Sequence, residues 1–315
     1  MQSIHYVKNV NDLKKISNNK NHVVTIGVFD GVHEGHQSLI SQAIKKGIEQ
    51  NLKSSLITFQ NSPYHHIKNL DDSNFYLTTV DEKKSILKKL DLDQVILIEF
   101  NDSINKTSAH EFLKILMNNI KMKRLVVGPD FALGKDRIGD INFLTQNQKS
   151  FDYELSVANS VKKGTEIISS TKIKKLIISG EMESANSYLG KPYNIRGEIT
   201  RGKGRGKELN MPTANLDYNL KKILPKDGVY SCKLKFKEKN YLGALSIGNN
   251  PTFGNSNNKS VEVHIIDFND DIYGDSINIK IYKHMRDQIQ YVNIDSLMNQ
   301  MQHDLINIRN YFKNG

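Results

Sequence analysis

After Gly190-Lys191-Pro192-Tyr193 the hydrophobic period of the chain changes. Before that point, short β-branched runs alternate with stretches whose apolar residues recur every three or four positions. That is the pattern of strands alternating with helices in a parallel α/β sheet. Beyond it the chain reads as short strands between glycine turns: Tyr193–Thr200, Gly228–Phe236, Tyr241–Ile247, Val261–Asp267 and Ser276–Tyr282. Alternation is plain in Val229-Tyr230-Ser231-Cys232-Lys233-Leu234-Lys235-Phe236, which predicts a small antiparallel sheet or closed barrel. The two halves are different domain classes, and 315 residues give each a core. The boundary is placed between residues 185 and 186, giving domains 1–185 and 186–315. Leu297, Met301, Leu305, Ile308 and Phe312 keep helical spacing, so a helix from Asp295 to Phe312 is expected to pack on the barrel.

The first half is organised around Val23-Val24-Thr25-Ile26-Gly27-Val28-Phe29-Asp30-Gly31-Val32-His33-Glu34-Gly35-His36. A β-branched run breaks at Gly27 and Gly31, and from Gln37 the apolar spacing is helical. Strand, glycine turn and helix start leave backbone N–H groups and a positive dipole end aimed at one spot, which suits a phosphate. His33 and His36, three apart, fall on one face of the first helical turn. One reading is an ordinary turn with two surface histidines. A metal reading is weaker, because a zincin needs His-Glu-x-x-His and here the histidines are three apart with no obvious third ligand. The third reading is a nucleotide site, since the whole string resembles the Gly-x-Phe-Asp-Gly-x-His-x-Gly-His motif of the flavin-nucleotide branch of the nucleotidyltransferases.

Further strands are expected at Leu52–Phe59, Val95–Ile98 and Arg124–Gly128. Thr79 and Glu82 have capping-box spacing at a helix start. In parallel sheets ligands gather at the carboxyl ends of strands, so the loops after Phe59 and Gly128 should share an edge with the His33 loop. Ile167-Ile168-Ser169-Ser170-Thr171-Lys172-Ile173-Lys174-Lys175 puts hydroxyls at a helix start with lysines just inside. Cations there oppose the helix dipole, and a bound anion would remove the conflict.

The second half carries Gly202-Lys203-Gly204-Arg205-Gly206-Lys207, then Met211-Pro212-Thr213-Ala214-Asn215-Leu216, Ile247-Gly248-Asn249-Asn250-Pro251-Thr252-Phe253-Gly254 and Val261-Glu262-Val263-His264. Glycines with basic residues let backbone approach phosphates, and Thr213 and Asn215 are candidates to hold Mg²⁺ and phosphate. Glu262 and His264 share one strand face, and Glu262 is a candidate general base, with a solvated strand face as the alternative.

Composition narrows the function classes. No apolar run approaches the about 20 residues of a membrane span, and residues 1–10 lack the pattern of a signal peptide, so a cytoplasmic protein is expected. The single cysteine, Cys232, is expected to be a buried, inert thiol. The formal charge of +10 is spread along helix faces, as at Lys83-Lys84 and Lys88-Lys89, and reads as a solvated lysine-rich surface. No stacking-aromatic cluster or motif supports a nucleic-acid partner.

Taken in order, the His33–His36 motif, Ser169–Lys174, Pro212-Thr213-Ala214-Asn215, Pro251-Thr252-Phe253, Glu262-Val263-His264, Asp271-Ile272-Tyr273-Gly274 and Met285-Arg286-Asp287 resemble the bifunctional prokaryotic riboflavin kinase/FAD synthetase family. The resemblance covers nearly the whole chain. It implies a Rossmann-like nucleotidyltransferase domain followed by a six-stranded riboflavin-kinase β-barrel with a C-terminal helix. It implies ATP, Mg²⁺, riboflavin, FMN and FAD as the small molecules handled, with no nucleic-acid or membrane partner and with self-association left open. His33, His36 and Lys174 would act at the reacting phosphates of adenylyl transfer. Gly27, Phe29, Asp30, Gly31, Gly35, Ser169, Ser170, Thr171 and Lys172 would bind its ATP. Phe59, Asp130, Phe131 and Arg286 would meet flavin. For the kinase, Gly202, Gly204, Gly206, Lys207, Pro212, Thr213 and Asn215 would hold Mg–ATP, and Glu262 would be the base.

The sequence departs from the family at Gln60-Asn61-Ser62-Pro63, where Glu-Pro-His-Pro is usual. It departs again at Asp130-Phe131-Ala132-Leu133-Gly134, usually Asp-Phe-x-Phe-Gly, at Lys174 in place of Arg, and at Leu209-Asn210-Met211, usually Leu-Gly-Phe. Both activities are expected to survive these changes. The alternatives are a flavin-binding or regulatory protein with a decayed first domain, and a nucleotidyltransferase for another phosphorylated acceptor.

Overall fold

The structure, a computed structural model, describes residues 2–201, 211–249 and 259–314. Along the first part run β1 (Ser3–Val7), α1 (Val10–Lys15), β2 (His22–Ile26), α2 (Glu34–Glu49), β3 (Lys53–Phe59), α3 (Pro63–Lys68), α4 (Val80–Leu87) and β4 (Gln94–Ile98). Then come α5 (Asp102–Asn105), α6 (Ala109–Ile115), β5 (Met122–Val127), α7 (Ile141–Phe151) and β6 (Glu154–Val157), followed by the hairpin of β7 (Lys162–Lys163) and β8 (Glu166–Ile167). Two helices end this part, α8 (Ser170–Ile178) and α9 (Met182–Leu189).

Strands β1 to β6 form one sheet in the order β1-β4-β3-β2-β5-β6, every neighbouring pair parallel. Every residue of β2 and of β4 is buried, as both faces of a covered parallel sheet require. From β2 the chain lays β3 and β4 on one side and β5 and β6 on the other. A switch point therefore lies between β2 and β5, and a crevice opens beyond their carboxyl ends, where α/β sheets bind ligands. The loop Gly27–His33 leaves β2 at that crevice.

The second part is a closed barrel. Strands β9 (Tyr193–Thr200), β10 (Ala214–Tyr218), β11 (Gly228–Phe236), β12 (Lys239–Asn249), β13 (Lys259–Ile265) and β14 (Ser276–Arg286) join in the order β10-β13-β12-β11-β14-β9. All pairs are antiparallel, and closure leaves no sheet edge. Period two is visible on β13, where Val261, Val263 and Ile265 are buried and Glu262 and His264 are half-buried on the opposite face. Strand β10 begins inside the Pro212–Leu216 motif and runs on to Tyr218, where the sequence showed chemistry but no alternating run. The final helix, α10 (Ile294–Asn314), packs on β12 and β14 with Ile308 fully buried. Cys232 is buried, and burial pushes its thiol pKa up, so it is inert.

By internal contacts the chain divides into a unit of Met1–Asp72 with Thr78–Ser170 and a unit of Ser73–Leu77 with Thr171–Gly315. The second unit takes up a short stretch of the first half. The N–H of Asn74 donates to the Leu220 carbonyl, and those of Phe75 and Tyr76 donate to that of Lys221. Lys222, 1% exposed, donates from Nζ to the Leu77 carbonyl at 2.7 Å. Helix α9 packs on β14 and β9 within that unit.

Candidate active sites

The loop after β2 is held in a conformation few sequences adopt. Phe29, Gly31 and Val32 have φ of 50°, 84° and 43°. Glycine tolerates this, but a β-branched valine does so only where its surroundings force it, and such strain clusters at functional sites. The forces are identifiable. Phe29 (1% exposed) and Val32 (0%) pack with Ile40, Leu56, Leu87 and Leu97. The buried Asp30 carboxylate accepts from the Thr78 N–H at 3.1 Å, and Thr78 Oγ1 accepts from the Gly31 N–H at 3.0 Å. The Asp30 carbonyl accepts from Ser170 Oγ at 2.9 Å.

Helix α2 starts at Glu34, three residues before the apolar spacing does, so His33 is its N-cap. The His36 N–H donates to His33 Nδ1 at 3.3 Å. With Nδ1 accepting, the neutral His33 ring carries its proton on Nε2. The His36 ring stacks on that of His33 with centroids 3.6 Å apart and 18° between planes, and meets the Phe29 ring edge-on at 5.1 Å. Two imidazoles are thus fixed at a helix N-terminus on a strained loop at the switch point. This geometry suits hydrogen-bond donation to a phosphate.

The neighbouring loops are ordered by local bonds. Asn61 exchanges two hydrogen bonds with the Phe100 backbone, at 2.7 and 2.8 Å, and Ser62 caps α3. The residues standing where Pro-His-Pro is usual therefore hold the loop. Phe59 meets Phe100 edge-on at 5.7 Å. Asp130 is exposed beyond β5, and Phe131 packs on the core. Gly134 has φ 74°, and a Cβ there would lie 2.5 Å from the Ala109 nitrogen.

Of the Ser169–Lys174 set, Ser169 and Ser170 belong to the first unit, and Thr171, Lys172 and Lys174 to the second. Lys174 Nζ sits 3.4 Å over the Phe75 ring centroid, a cation–π contact inside the second unit. In the barrel, Thr213 Oγ1 donates to Glu262 Oε2 at 3.4 Å, and Asn215, Glu262 and Ser246 are register partners across β10, β13 and β12. His264 Nδ1 lies 2.9 Å from the Pro212 carbonyl, which steadies the Pro212-Thr213 turn. Gly202, Gly204, Gly206 and Lys207, and the motif residues Asn250 to Gly254, lie outside the described residues.

A FAD synthetase family model matches residues 15–172, and a riboflavin kinase model matches residues 189–312. The chain is 33% identical to the bifunctional riboflavin kinase/FMN adenylyltransferase of Buchnera aphidicola subsp. Schizaphis graminum, over 97% of this chain and 98% of that protein. The chain belongs to the bifunctional riboflavin kinase/FMN adenylyltransferase family. The Listeria monocytogenes member is 32% identical over 93% of each chain. A solved Streptococcus pneumoniae structure, described as a macrolide-efflux protein, has 30% identity, a TM-score of 0.87 and covers 98% of this chain and 99% of its own. No helix among the described residues is long and apolar enough to cross a membrane.

In this member of the family, two features escape sequence reasoning. Lys83 was expected on a solvated helix face, but it is 3% exposed and its Nζ donates to the carbonyls of Val28 at 2.8 Å and Phe59 at 2.9 Å. The carboxyl ends of parallel strands leave such carbonyls without ladder partners, and a long amine supplies one. The second is Arg286, expected at flavin. Its Nε lies 3.0 Å from both carboxylate oxygens of the buried Asp304, and an Nη is 2.7 Å from Oδ2. The guanidinium fastens α10 to β14. Nothing in the spacing of Arg286 and Asp304 marks them as partners, because the barrel brings them together.

Proposed function

We propose that the chain makes FMN and then FAD. The observation that carries this reading is the succession of two family matches, FAD synthetase on 15–172 and riboflavin kinase on 189–312, in a chain aligned with bifunctional relatives along almost its whole length. The activities divide between domains 1–185 and 186–315. Retention of the stacked His33–His36 pair on its strained loop speaks against a decayed first domain.

In the barrel, Glu262 takes the proton from the ribityl 5′-hydroxyl of riboflavin. The oxygen bonds to the γ-phosphorus of ATP as the bond to the bridging oxygen breaks, leaving FMN and ADP. The hydroxyl of Thr213 and the amide oxygen of Asn215 are hard oxygen donors, and they suit a Mg²⁺ that arrives with ATP. Among the described residues no cluster of three or more His, Cys, Asp or Glu could hold a metal ion. When bound, the Mg²⁺ neutralises phosphate charge. The Gly202–Lys207 loop and Pro212 complete the nucleotide contacts.

In the first domain the phosphate of FMN attacks the α-phosphorus of a second ATP, and the α–β bond breaks to release pyrophosphate. No covalent enzyme intermediate is needed. Positioning and neutralisation of developing charge are the protein's tasks. His33 donates from Nε2, and His36 from its ring edge, to oxygens of the α-phosphate. Gly27, Phe29, Asp30, Gly31 and Gly35 shape the loop, and Ser169, Ser170, Thr171, Lys172 and Lys174 take the outer phosphates. Phe59, Asp130 and Phe131 meet the flavin of FMN. Arg286, through its hold on α10, frames the flavin site of the barrel. The enzyme works in the cytoplasm on small molecules, without nucleic acid or membrane.

Addition of FMN to the chain with ATP and Mg²⁺ tests the adenylyl step. Pyrophosphate and FAD are expected in equal amounts, and release of neither removes that half of the reading.

A further inference from the structure

The Gly27–His33 loop carries three residues at positive φ, and such a loop needs bonds that outweigh its strain. Four of them involve one stretch, Thr78–Lys83. Thr78 grips Asp30 and Gly31 through three hydrogen bonds. Thr79 and Glu82 close a reciprocal capping box that fixes the start of α4, with Thr79 N–H to Glu82 Oε2 at 2.9 Å and Glu82 N–H to Thr79 Oγ1 at 3.2 Å. Lys83, the next residue, drives its side chain under the loop. Its Nζ joins Val28, inside the phosphate loop, to Phe59, where the loop after β3 begins. Thr58 Oγ1 reaches the same Val28 carbonyl at 2.9 Å. One buried ammonium thus ties the proposed nucleotide loop to the proposed flavin loop from beneath.

We propose that Lys83 is a positioning residue for adenylyl transfer. It sets the spacing of the two loops that carry the reactants, and it places a fixed positive charge below the site where phosphate charge develops. The proposal rests on the FAD-forming reading of the first domain. Lys83 need not touch substrate. Its effect runs through the Val28 and Phe59 carbonyls, and a displacement of about 1 Å at a reacting centre costs about 10²-fold in rate.

The test compares the unsubstituted full-length chain with Lys83→Met, Lys83→Gln and Lys83→Arg. It measures FMN formation, FAD formation from supplied FMN, and thermal unfolding. Lys83→Met is expected to lower kcat for FAD formation by about 10²-fold with FMN formation unchanged. Lys83→Arg, which keeps charge and donors, is expected to recover part of the loss. A purely structural lysine would lower the unfolding temperature and leave kcat per folded molecule intact, and that result overturns the proposal. Should Lys83→Met fail to fold, Lys83→Gln carries the test. Its neutral amide can hold one carbonyl but brings no charge, and FAD formation at the unsubstituted rate overturns the proposal. If the unsubstituted chain itself makes no FAD, the adenylyltransferase reading has failed instead.

Discussion

The imidazole of His36 lies flat on that of His33, centroids 3.6 Å apart, while the His36 N–H caps back onto His33 Nδ1. His33 therefore caps the helix through Nδ1, and on the proposed function its Nε2 is left to donate to phosphate. His33→Asn keeps a capping oxygen but loses the ring. Its stability should stay close to that of the unsubstituted chain, while FAD formation falls by about 10²–10³-fold, the usual cost of one donor to a developing oxyanion. His33→Ala should lose the same activity and about 1 kcal/mol of stability as well. Equal stability of the two variants in denaturant melts would argue against the cap.

The two sites should fail independently. His36→Ala is expected to abolish FAD formation and spare FMN formation. Glu262→Ala is expected to abolish FMN formation and still convert supplied FMN to FAD. Chromatography of the products reads both, and loss of both activities in either variant would contradict two separate sites.

Arg286 and Asp304 form a nearly buried pair, with side chains 17% and 7% exposed. Removing one partner leaves the other charged and poorly solvated. Asp304→Ala should destabilise the barrel unit by about 3–5 kcal/mol. The barrel's unfolding transition should move and the kinase activity fall with it. An unshifted transition would show that the pair does not anchor α10.

His22 sits at the amino end of β2, 5% exposed, its Nδ1 2.6 Å from Ser55 Oγ, which itself donates to Gln94 Oε1 at 2.7 Å. The Ser55 proton is committed to Gln94, so His22 Nδ1 must carry a proton and donate. Burial lowers the pKa of His22 below its ordinary value of 6.5. The unfolded chain then binds the proton more readily than the folded one. The stability this histidine contributes is complete above about pH 6.5 and is lost as pH falls toward the depressed folded value. Thermal melts of the first unit at decreasing pH should show that loss, and His22→Gln should flatten it. An unchanged slope in His22→Gln would assign the acid sensitivity elsewhere.

Local signals carried much of the fold. The ranges Tyr193–Thr200 and Gly228–Phe236 coincide with β9 and β11, and the Thr79–Glu82 capping box is closed by both its bonds. Elements set by long-range packing were less legible. Strand β10 is short and polar on one face, and it exists because β9 and β13 flank it. The burial of Lys83 follows from carbonyls left open at strand ends far away in sequence. The N–H groups of Asn74, Phe75 and Tyr76 are spent on the carbonyls of Leu220 and Lys221, far away in sequence, and no local pattern marks that pairing. At the site, the histidines and hydroxyls were visible as a motif, whereas the positive φ of Phe29 and Val32 had no signature beyond the glycines beside them.

The most direct test of the account is incubation of the full-length chain with riboflavin, ATP and Mg²⁺, followed by chromatography over time. FMN should rise first and FAD should then grow at its expense, with two ATP consumed per FAD. Accumulation of FMN with no FAD would contradict the bifunctional reading.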